Sequence, residues 1–232
     1  MIIVLNNKSN LDKKEFNEYL DELSKINTNH QIVLCPSFIN IDSIDINNVE
    51  VGAQNVSSFE EGAYTGEVAA SQLKSYNVKY ALVGHSERRA YEQETYADIN
   101  HKIKELLESN IIPILCVGET KKEKDNNLLE EVLEKQITSA LEGLSNEERE
   151  KVIIAYEPRW AIGSGTTPTT EEIEEVISII KRLDTNCKIL YGGSANESNI
   201  DELRKINSLD GYLLGSLSLK VENLKNFLEK LN

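Results

Sequence analysis

A single glutamate, Glu157, stands where a short apolar run gives way to a loop rich in glycine. The run, residues 152–154, is Val-Ile-Ile, and such a run is typical of a parallel strand buried on both faces. After Glu157, Pro158 stops a helix from continuing, and Gly163 and Gly165 allow backbone geometries that other residues resist. This pattern is typical of a carboxylate at the end of a strand with a mobile lid beside it. An ordinary loop with a solvated glutamate gives the same pattern.

A histidine and a lysine also follow strand-like runs. His85 comes just before a segment that resembles a helix start, with Ser86 as the expected cap. A helix N-terminus disfavours imidazolium, so a neutral imidazole there is suited to polarise a carbonyl and shuttle a proton. Lys8 and Asn6 follow the first apolar run. A structural histidine in a polar turn and a surface lysine remain open alternatives.

The elements that must position these residues alternate regularly along the chain. Eight strand-like runs occur, at residues 2–5, 32–34, 51–53, 80–83, 111–117, 152–156, 189–191 and 211–214. Amphipathic segments separate them, and the second and third of these are the weakest. Such alternation indicates a parallel sheet, either open or closed, and eight repeats without a long linker favour closure. No Gly-x-Gly-x-x-Gly follows the first strand and no Walker-type loop occurs, so the open sheet lacks its usual sequence markers. We therefore predict an α/β fold, a single-domain eight-stranded parallel (β/α)8 barrel spanning residues 1–232.

The composition limits the classes of molecule that this chain is expected to bind. A formal net charge of −14 argues against nucleic acid and anionic membrane surfaces, but not against a small phosphate ester held in a locally positive pocket. Cys35, Cys116 and Cys187 are far apart, which favours reduced thiols over disulfides or a zinc site. No metal is expected. Without a secretion or membrane signal, the cytoplasm is the expected location.

Barrel enzymes place their active residues where strands end and loops begin, on one face. The strand ends predict one group of polar residues and Gly/Ser loops at this face: Asn6, Lys8, His85, Glu157, Ser194, Gly215 and Ser216. The Gly/Ser loops after the last two strands are where such barrels bind phosphate through backbone N–H groups. Each of these loops taken alone is equally consistent with a tight turn.

Two long segments carry a family resemblance. Residues 80–89 (YALVGHSERR) and 155–165 (AYEPRWAIGSG) resemble the most diagnostic segments of the triosephosphate isomerase family. Shorter matches lie in the same order at residues 53–55, 62–67, 116–119, 191–194 and 210–215. The resemblance covers essentially the whole chain. It implies interconversion of dihydroxyacetone phosphate and D-glyceraldehyde 3-phosphate without metal or cofactor.

The resemblance also implies roles for individual residues. Glu157 would move a proton between neighbouring carbons, His85 would polarise the carbonyl, and Lys8 and Asn6 would stabilise an enediolate. Behind these residues, Glu87 would orient Lys8. The remaining assignments are Tyr191 behind the site, Gly163, Ser194, Gly215 and Ser216 as phosphate N–H donors, and a lid formed by Trp160, Ala161, Ile162, Gly163, Ser164 and Gly165. Closure of the lid would exclude water.

One protruding loop points to a homodimer. The loop from Gly62 to Glu67 resembles the one that family members insert into a partner subunit, with Thr65 reaching toward the partner's active site. A surface loop on a monomer is the alternative.

Several residues depart from the family pattern. Asn7 stands where the family usually has Trp, which puts a packing contact beside Lys8 in doubt, and Arg159 replaces an aliphatic residue. Arg159 lies at the first hinge of the predicted lid. At its second hinge, residues 166–168, Thr-Thr-Pro, replace a family segment that starts with Lys and ends with Ala, although Pro168 is equally consistent with a helix start. Ser216 replaces glycine and would be strained if its φ had to be positive. The charge-dense segment 121–125 is expected to be solvated surface without function.

A Schiff-base aldolase and a non-catalytic binding protein are the two alternative functions. A Schiff-base aldolase needs a lysine inside a late strand, whereas the sixth strand ends in Glu157. A barrel kept only as a binding protein would have lost a core group, yet Lys8, His85 and Glu157 are all present. The isomerase interpretation is therefore preferred.

Overall fold

Eight parallel strands form a closed barrel in the computed structural model, which describes residues 1–161, 167–184 and 186–231. The strands are β1 (Ile2–Asn6), β2 (Gln31–Cys35), β3 (Val49–Ala53), β4 (Tyr80–Val83), β5 (Ile112–Val117), β6 (Ile153–Tyr156), β7 (Lys188–Tyr191) and β8 (Gly211–Leu214). Each strand pairs with the next, and β1 pairs with β8 to close the ring. All eight predicted strands are present within two residues of their expected bounds. The predicted (β/α)8 barrel is confirmed.

Helices surround the barrel. They are α1 (Lys13–Leu23), α2 (Ala70–Ser75), α3 (Ser86–Tyr91), α4 (Tyr96–Glu108), α5 (Lys121–Asp125), α6 (Leu129–Ala140), α7 (Asn146–Arg149), α8 (Thr170–Leu183), α9 (Ile200–Leu203) and α10 (Val221–Leu231). The link from β2 to β3 holds only a 3-10 helix, Phe38–Ser43. This agrees with the weak second amphipathic segment. None of the helices in the described ranges is long and apolar enough to cross a membrane.

Two apolar layers meet at the strands. One fills the barrel interior with side chains such as Val4, Ile153 and Ala155, and the other packs the outer strand faces against the helices. Successive strand residues point to opposite faces, so the interior row continues in steps of two. The next interior positions after Val4 and Ala155 are Asn6 and Glu157, which are buried polar residues. The strand period therefore carries both side chains to the carboxyl end of the barrel.

Candidate active site

Glu157 and His85 form a buried pair at the carboxyl ends of β6 and β4. His85 Nε2 lies 3.1 Å from Glu157 Oε1, and the two side chains are 6% and 5% exposed. The backbone N–H of Ser86 reaches the other carboxylate oxygen at 3.4 Å. The pair opens onto a cavity of about 630 Å³. An acid–base pair with its reactive edge at a cavity wall can exchange protons with a bound molecule.

The start of α3 fixes the tautomer of His85. The residue is the N-cap of α3, and its Nδ1 accepts the backbone N–H of Glu87 at 3.3 Å. The predicted cap, Ser86, is wrong: it is the first residue of the helix, because the imidazole already satisfies the free N–H group. A nitrogen that accepts cannot carry the proton, so the proton of the neutral ring lies on Nε2, facing Glu157.

Opposing influences act on the protonation of this pair. Burial, the largest single influence, lowers the pKa of His85, but the carboxylates of Glu157 and Glu87 together outweigh it and raise that pKa above its ordinary value. Burial likewise raises the pKa of Glu157, but His85 and the N–H of Ser86 hold that pKa below 4.5. Each group thus favours the charged form of the other in the ligand-free arrangement. Separating the two groups would remove this mutual support.

Glycines make room for the carboxylate. A Cβ on Gly118 would lie 1.9 Å from the carbonyl oxygen of Glu157, and one on Gly192 would lie 2.8 Å from its Cγ. Gly118 also has φ of +158°. Neither position was singled out from the sequence for this reason. The close approach of three strand ends to Glu157 is what excludes larger side chains there.

Lys8 adopts an unusual backbone conformation and is held in it on all sides. Its φ is +53°, which is rare for residues other than glycine. Its N–H donates to Asn6 Oδ1 at 3.0 Å, and its carbonyl accepts from Gln54 Nε2 at 2.8 Å. Its Nζ lies 2.6 Å from Glu87 Oε1, so the predicted neighbour of Lys8 is in contact with it. Such strain is maintained at functional sites where surroundings determine the geometry.

The predicted site residues share one cavity. Its walls include Asn6, Lys8, His85, Glu157, Ser194, Gly215 and Ser216. Ser216 opens a 3-10 helix, Ser216–Leu219, and it is not among the residues with positive φ, so the strain considered for a serine there does not arise. Tyr191 lies beneath the site, fully buried, and a Cβ on Gly193 would meet its hydroxyl at 2.2 Å. That hydroxyl has no hydrogen-bond partner in the described ranges.

The start of the predicted lid is anchored away from this cavity. Trp160 Nε1 donates to Glu119 Oε1 at 2.6 Å, and Tyr156 also donates to this buried carboxylate, at 3.2 Å to each oxygen. The carbonyl of Ala161 accepts from the Ser194 hydroxyl at 2.8 Å. Burial raises the pKa of Glu119, against the hydrogen bonds from Trp160 and Tyr156. The remaining predicted lid residues, Ile162, Gly163, Ser164 and Gly165, lie outside the described residues.

The departures from the family pattern have structural outcomes. Asn7 is fully buried, and its Nδ2 donates to Ser218 Oγ at 3.3 Å, so a polar contact occupies the position beside Lys8. Arg159 is half-buried, with its N–H donating to the Glu119 carbonyl at 3.1 Å. Pro168 does not start α8, because Thr169 is its N-cap; Thr166 lies outside the described residues.

Sequence reasoning missed two neighbours of the site. Cys116 is buried beside Glu157, and burial raises its pKa well above the ordinary value. Lys124 places Nζ 3.6 Å from the centre of the Trp160 ring. Segment 121–125 is therefore not simply solvated surface: it forms α5, and Lys124 on it contacts Trp160, the first residue of the predicted lid. In the sequence, the only indication of this contact is that Lys124 lies five residues after Glu119, which ends the matching segment 116–119.

The loop predicted to contact a partner protrudes and has internal structure. Residues 59–67 are exposed, and the rings of Phe59 and Tyr64 stack with centroids 4.3 Å apart. The Glu67 N–H donates to the Tyr64 carbonyl at 3.0 Å, and Gly66 supplies φ of +95°. A second cavity of about 300 Å³ lies beside Lys8, with the exposed residue Tyr91 on its wall.

Comparison with known proteins gives one consistent result. The family model described as triosephosphate isomerase matches residues 1–231. A triosephosphate isomerase of Clostridium tetani is 44% identical over 206 residues, covering 83% of this chain and 81% of the relative. One of Mesomycoplasma hyorhinis is 42% identical over 225 residues, covering 94% and 91%. One of Clostridium botulinum is 40% identical over 237 residues, covering 96% of each chain.

Proposed function

The chain belongs to the triosephosphate isomerase family, and from that premise we propose how its own residues carry out the reaction. As a member of the family it is an enzyme that interconverts dihydroxyacetone phosphate and D-glyceraldehyde 3-phosphate, a step of glycolysis. The observation that carries the residue assignment is the contact of 3.1 Å between His85 Nε2 and Glu157 Oε1 at the wall of a cavity that also holds Lys8.

Glu157 is the base. Its carboxylate removes a proton from the carbon next to the substrate carbonyl, and the electron pair of that C–H bond forms the C=C bond of an enediolate while the carbonyl oxygen gains negative charge. Returning the same proton to the neighbouring carbon completes the isomerisation. The lowered pKa of Glu157 supports this role, since it keeps the group ionised before substrate binds. Its burial limits competing proton exchange with water.

His85 is the electrophile and proton shuttle. Its Nε2–H faces the position where substrate oxygens must lie if Glu157 is to reach the carbon between them. Once Glu157 turns to the substrate, the influence that raises the pKa of His85 weakens, and burial together with the Glu87 N–H at Nδ1 favours the neutral ring. A carboxylate base paired with a neutral histidine is typical of this family. The ring donates to one enediolate oxygen and moves protons between the two.

Lys8 and Asn6 stabilise the developing charge. The Lys8 side chain is 28% exposed and lines the cavity, so its ammonium charge is available to both the substrate oxygen and the phosphate in this proposal. The phosphate is held by backbone N–H groups at Ser194, Gly215 and Ser216, with Gly163 completing the set. The lid from Trp160 to Gly165 covers it, with Tyr191 behind the site. No cofactor or metal is part of this proposal.

A coupled assay with D-glyceraldehyde 3-phosphate tests the base. We expect Glu157→Gln to lower kcat by roughly 10²–10⁴-fold, since general-base catalysis contributes that much. Glu157→Asp keeps the carboxylate but moves it by about 1 Å, so we expect a loss of about 10²-fold. Equal turnover in the wild type and both variants would remove Glu157 from the role of base.

The active protein is proposed to be a cytoplasmic homodimer that binds neither nucleic acid nor membranes. The exposed loop from Gly62 to Glu67 inserts into a second copy, and the cavity beside Lys8 receives it, with Thr65 approaching the partner's site. Two exposed aromatic residues on the wall of this cavity, Phe38 at 37% and Tyr91 at 79%, support an interface there. Light scattering at micromolar concentration should give twice the mass of the chain, and Thr65→Arg should reduce it; a monomeric wild type would contradict the proposal.

A further inference from the structure

Lys124 joins two segments that flank the same stretch of chain. From α5, its Nζ lies 3.6 Å from the centre of the Trp160 ring and 2.8 Å from Glu172 Oε1. Trp160 comes shortly before residues 162–166, and Glu172 lies in the first turn of α8, which follows them. One ammonium group therefore links the chain before that stretch to the chain after it.

Both partners of Lys124 are themselves fixed. Trp160 is held at its indole N–H by buried Glu119 at 2.6 Å. Glu172 Oε2 accepts the N–H of Thr169 at 2.9 Å, and the Glu172 N–H returns to the Thr169 hydroxyl at 3.2 Å, forming the capping box of α8. The tether thus ends on rigid points on each side. These residues surround a separate cavity of about 320 Å³ beside α5, α6 and α8, away from the catalytic groups.

A solvated lysine with a single carboxylate partner would contribute little to holding two segments together, because exposed ion pairs are weak. Lys124 differs because it has two partners of different chemistry in two segments, and its side chain is only 34% exposed. The flank it holds continues directly to Ala161, whose carbonyl bonds to Ser194 in the phosphate loop. Fixing Trp160 therefore also restricts a residue that contacts the proposed phosphate site. Ordering these groups in advance reduces the cost of binding.

We propose that Lys124 is a positioning residue that holds Trp160 and the start of α8 together and so favours binding of the substrate phosphate. The proposal deepens the isomerase function and rests on it. Lys124 touches none of the reacting atoms and acts through Trp160 and Glu172.

Steady-state kinetics and the fluorescence of Trp160 test this role. In Lys124→Met the stem stays and the charge is lost, and we expect KM for D-glyceraldehyde 3-phosphate and Kd for inorganic phosphate to rise about 3-fold to 10-fold, as expected for a cation–π contact. kcat should change by less than about 2-fold, because binding and not the chemical step is affected. Trp160 is the only tryptophan, so acrylamide quenching of the emission should increase in this variant.

Three further variants make the test specific. Lys124→Arg keeps a cation and should restore KM and quenching. Glu172→Gln removes the carboxylate charge from the ion pair that links Lys124 to α8, so it should raise KM while changing quenching less than Lys124→Met does. Lys122→Met, on the exposed side of the same helix, is the matched control and should behave as wild type. Normal KM and quenching in Lys124→Met, failure of Arg to restore them, or an equal shift in the Lys122 control would each overturn the proposal.

The outcomes separate this proposal from the function on which it rests. A wild type without isomerase activity would contradict the residue-level mechanism, while the phosphate titration and quenching series would still test the tether. An active wild type with an unchanged Lys124→Met variant would contradict the tether alone.

Discussion

Two acid–base pairs stand at the same end of the barrel, and burial distinguishes them. Glu157 and His85 are about one-twentieth exposed, whereas Glu87 and Lys8 are 44% and 28% exposed. The two members of each pair are in direct contact. In the buried pair, burial and the partner group push the pKa of each member in opposite directions. The proposed roles of the two carboxylates differ accordingly: the buried pair exchanges protons with substrate, and the half-exposed pair supplies a positioned charge.

The same difference in burial supports Glu157 over Glu87 as the proposed base. Glu87 lies in the first turn of α3, where solvent reaches it and Lys8 occupies one of its oxygens. Glu157 continues the interior row of β6 into the cavity, and glycines clear space around it. Desolvation makes the energy of Glu157 depend strongly on what it contacts, so exchanging His85 for a substrate carbon has a large effect.

Breaking the buried pair should have the largest effect. We expect His85→Ala to lower kcat by roughly 10²–10⁴-fold, the range for a positioned acid–base group. It should also move the acid limb of the kcat/KM profile to higher pH. Burial raises the pKa of Glu157 and His85 lowers it, so without His85 the burial contribution prevails and Glu157 is protonated at higher pH. An acid limb at the wild-type pH would contradict this coupling.

Removing the charge of the half-exposed pair comes next. Lys8→Met should reduce kcat/KM by roughly 10²–10³-fold, since one electrostatic stabiliser of a developing oxyanion contributes that much. The acid limb of the pH profile should stay close to that of the wild type, because His85 dominates the charge interaction with Glu157. A large shift of that limb would show that the two pairs act as one unit. Kinetics between pH 4 and 9 supply both readouts.

Most of the fold, and the position of two candidate site residues at one end of the barrel, could be predicted from sequence because they follow a period. Alternation within β1 and β6 carries Asn6 and Glu157 to the barrel's carboxyl end, and eight repeats of strand and helix predict closure. The long segment 80–89 then points to His85, and Lys8 is suggested by its position just after β1. These features depend on local order in the chain, which a single sequence displays directly.

What escaped prediction depends on contacts between distant segments. Glu119 meets Trp160 across 41 residues, and Lys124 meets Glu172 across 48. Charge composition alone made the segment of Lys124 look like solvated surface. The cap of α3 was misplaced by one residue because histidine is not a usual cap, and only the direction of its Nδ1 reveals it.

A methyl group on Gly192 should disturb the buried pair without touching its chemistry. The added Cβ of Gly192→Ala would lie 2.8 Å from Glu157 Cγ, 3.3 Å from the Tyr156 carbonyl oxygen and 3.5 Å from Leu213 Cδ2. Glu157 must move, and a displacement of about 1 Å costs up to about 10²-fold in kcat. Thermal unfolding checks that the barrel survives. Wild-type kcat in a folded variant would show that Glu157 does not need the space.

The smallest effect is expected where the half-exposed pair loses only a carboxylate charge. Glu87→Gln keeps an oxygen that can accept from Lys8 Nζ, and exposed ion pairs contribute at most about 1 kcal/mol, so kcat/KM should fall by no more than about 5-fold. The backbone N–H of residue 87 still donates to His85 Nδ1 in this variant, so the tautomer of the imidazole is preserved. The matched buried change, Glu157→Gln, removes the same charge from a desolvated position. A loss in Glu87→Gln as large as in Glu157→Gln would mean that solvent exposure does not separate the two carboxylates, and the division of roles between the pairs would fail.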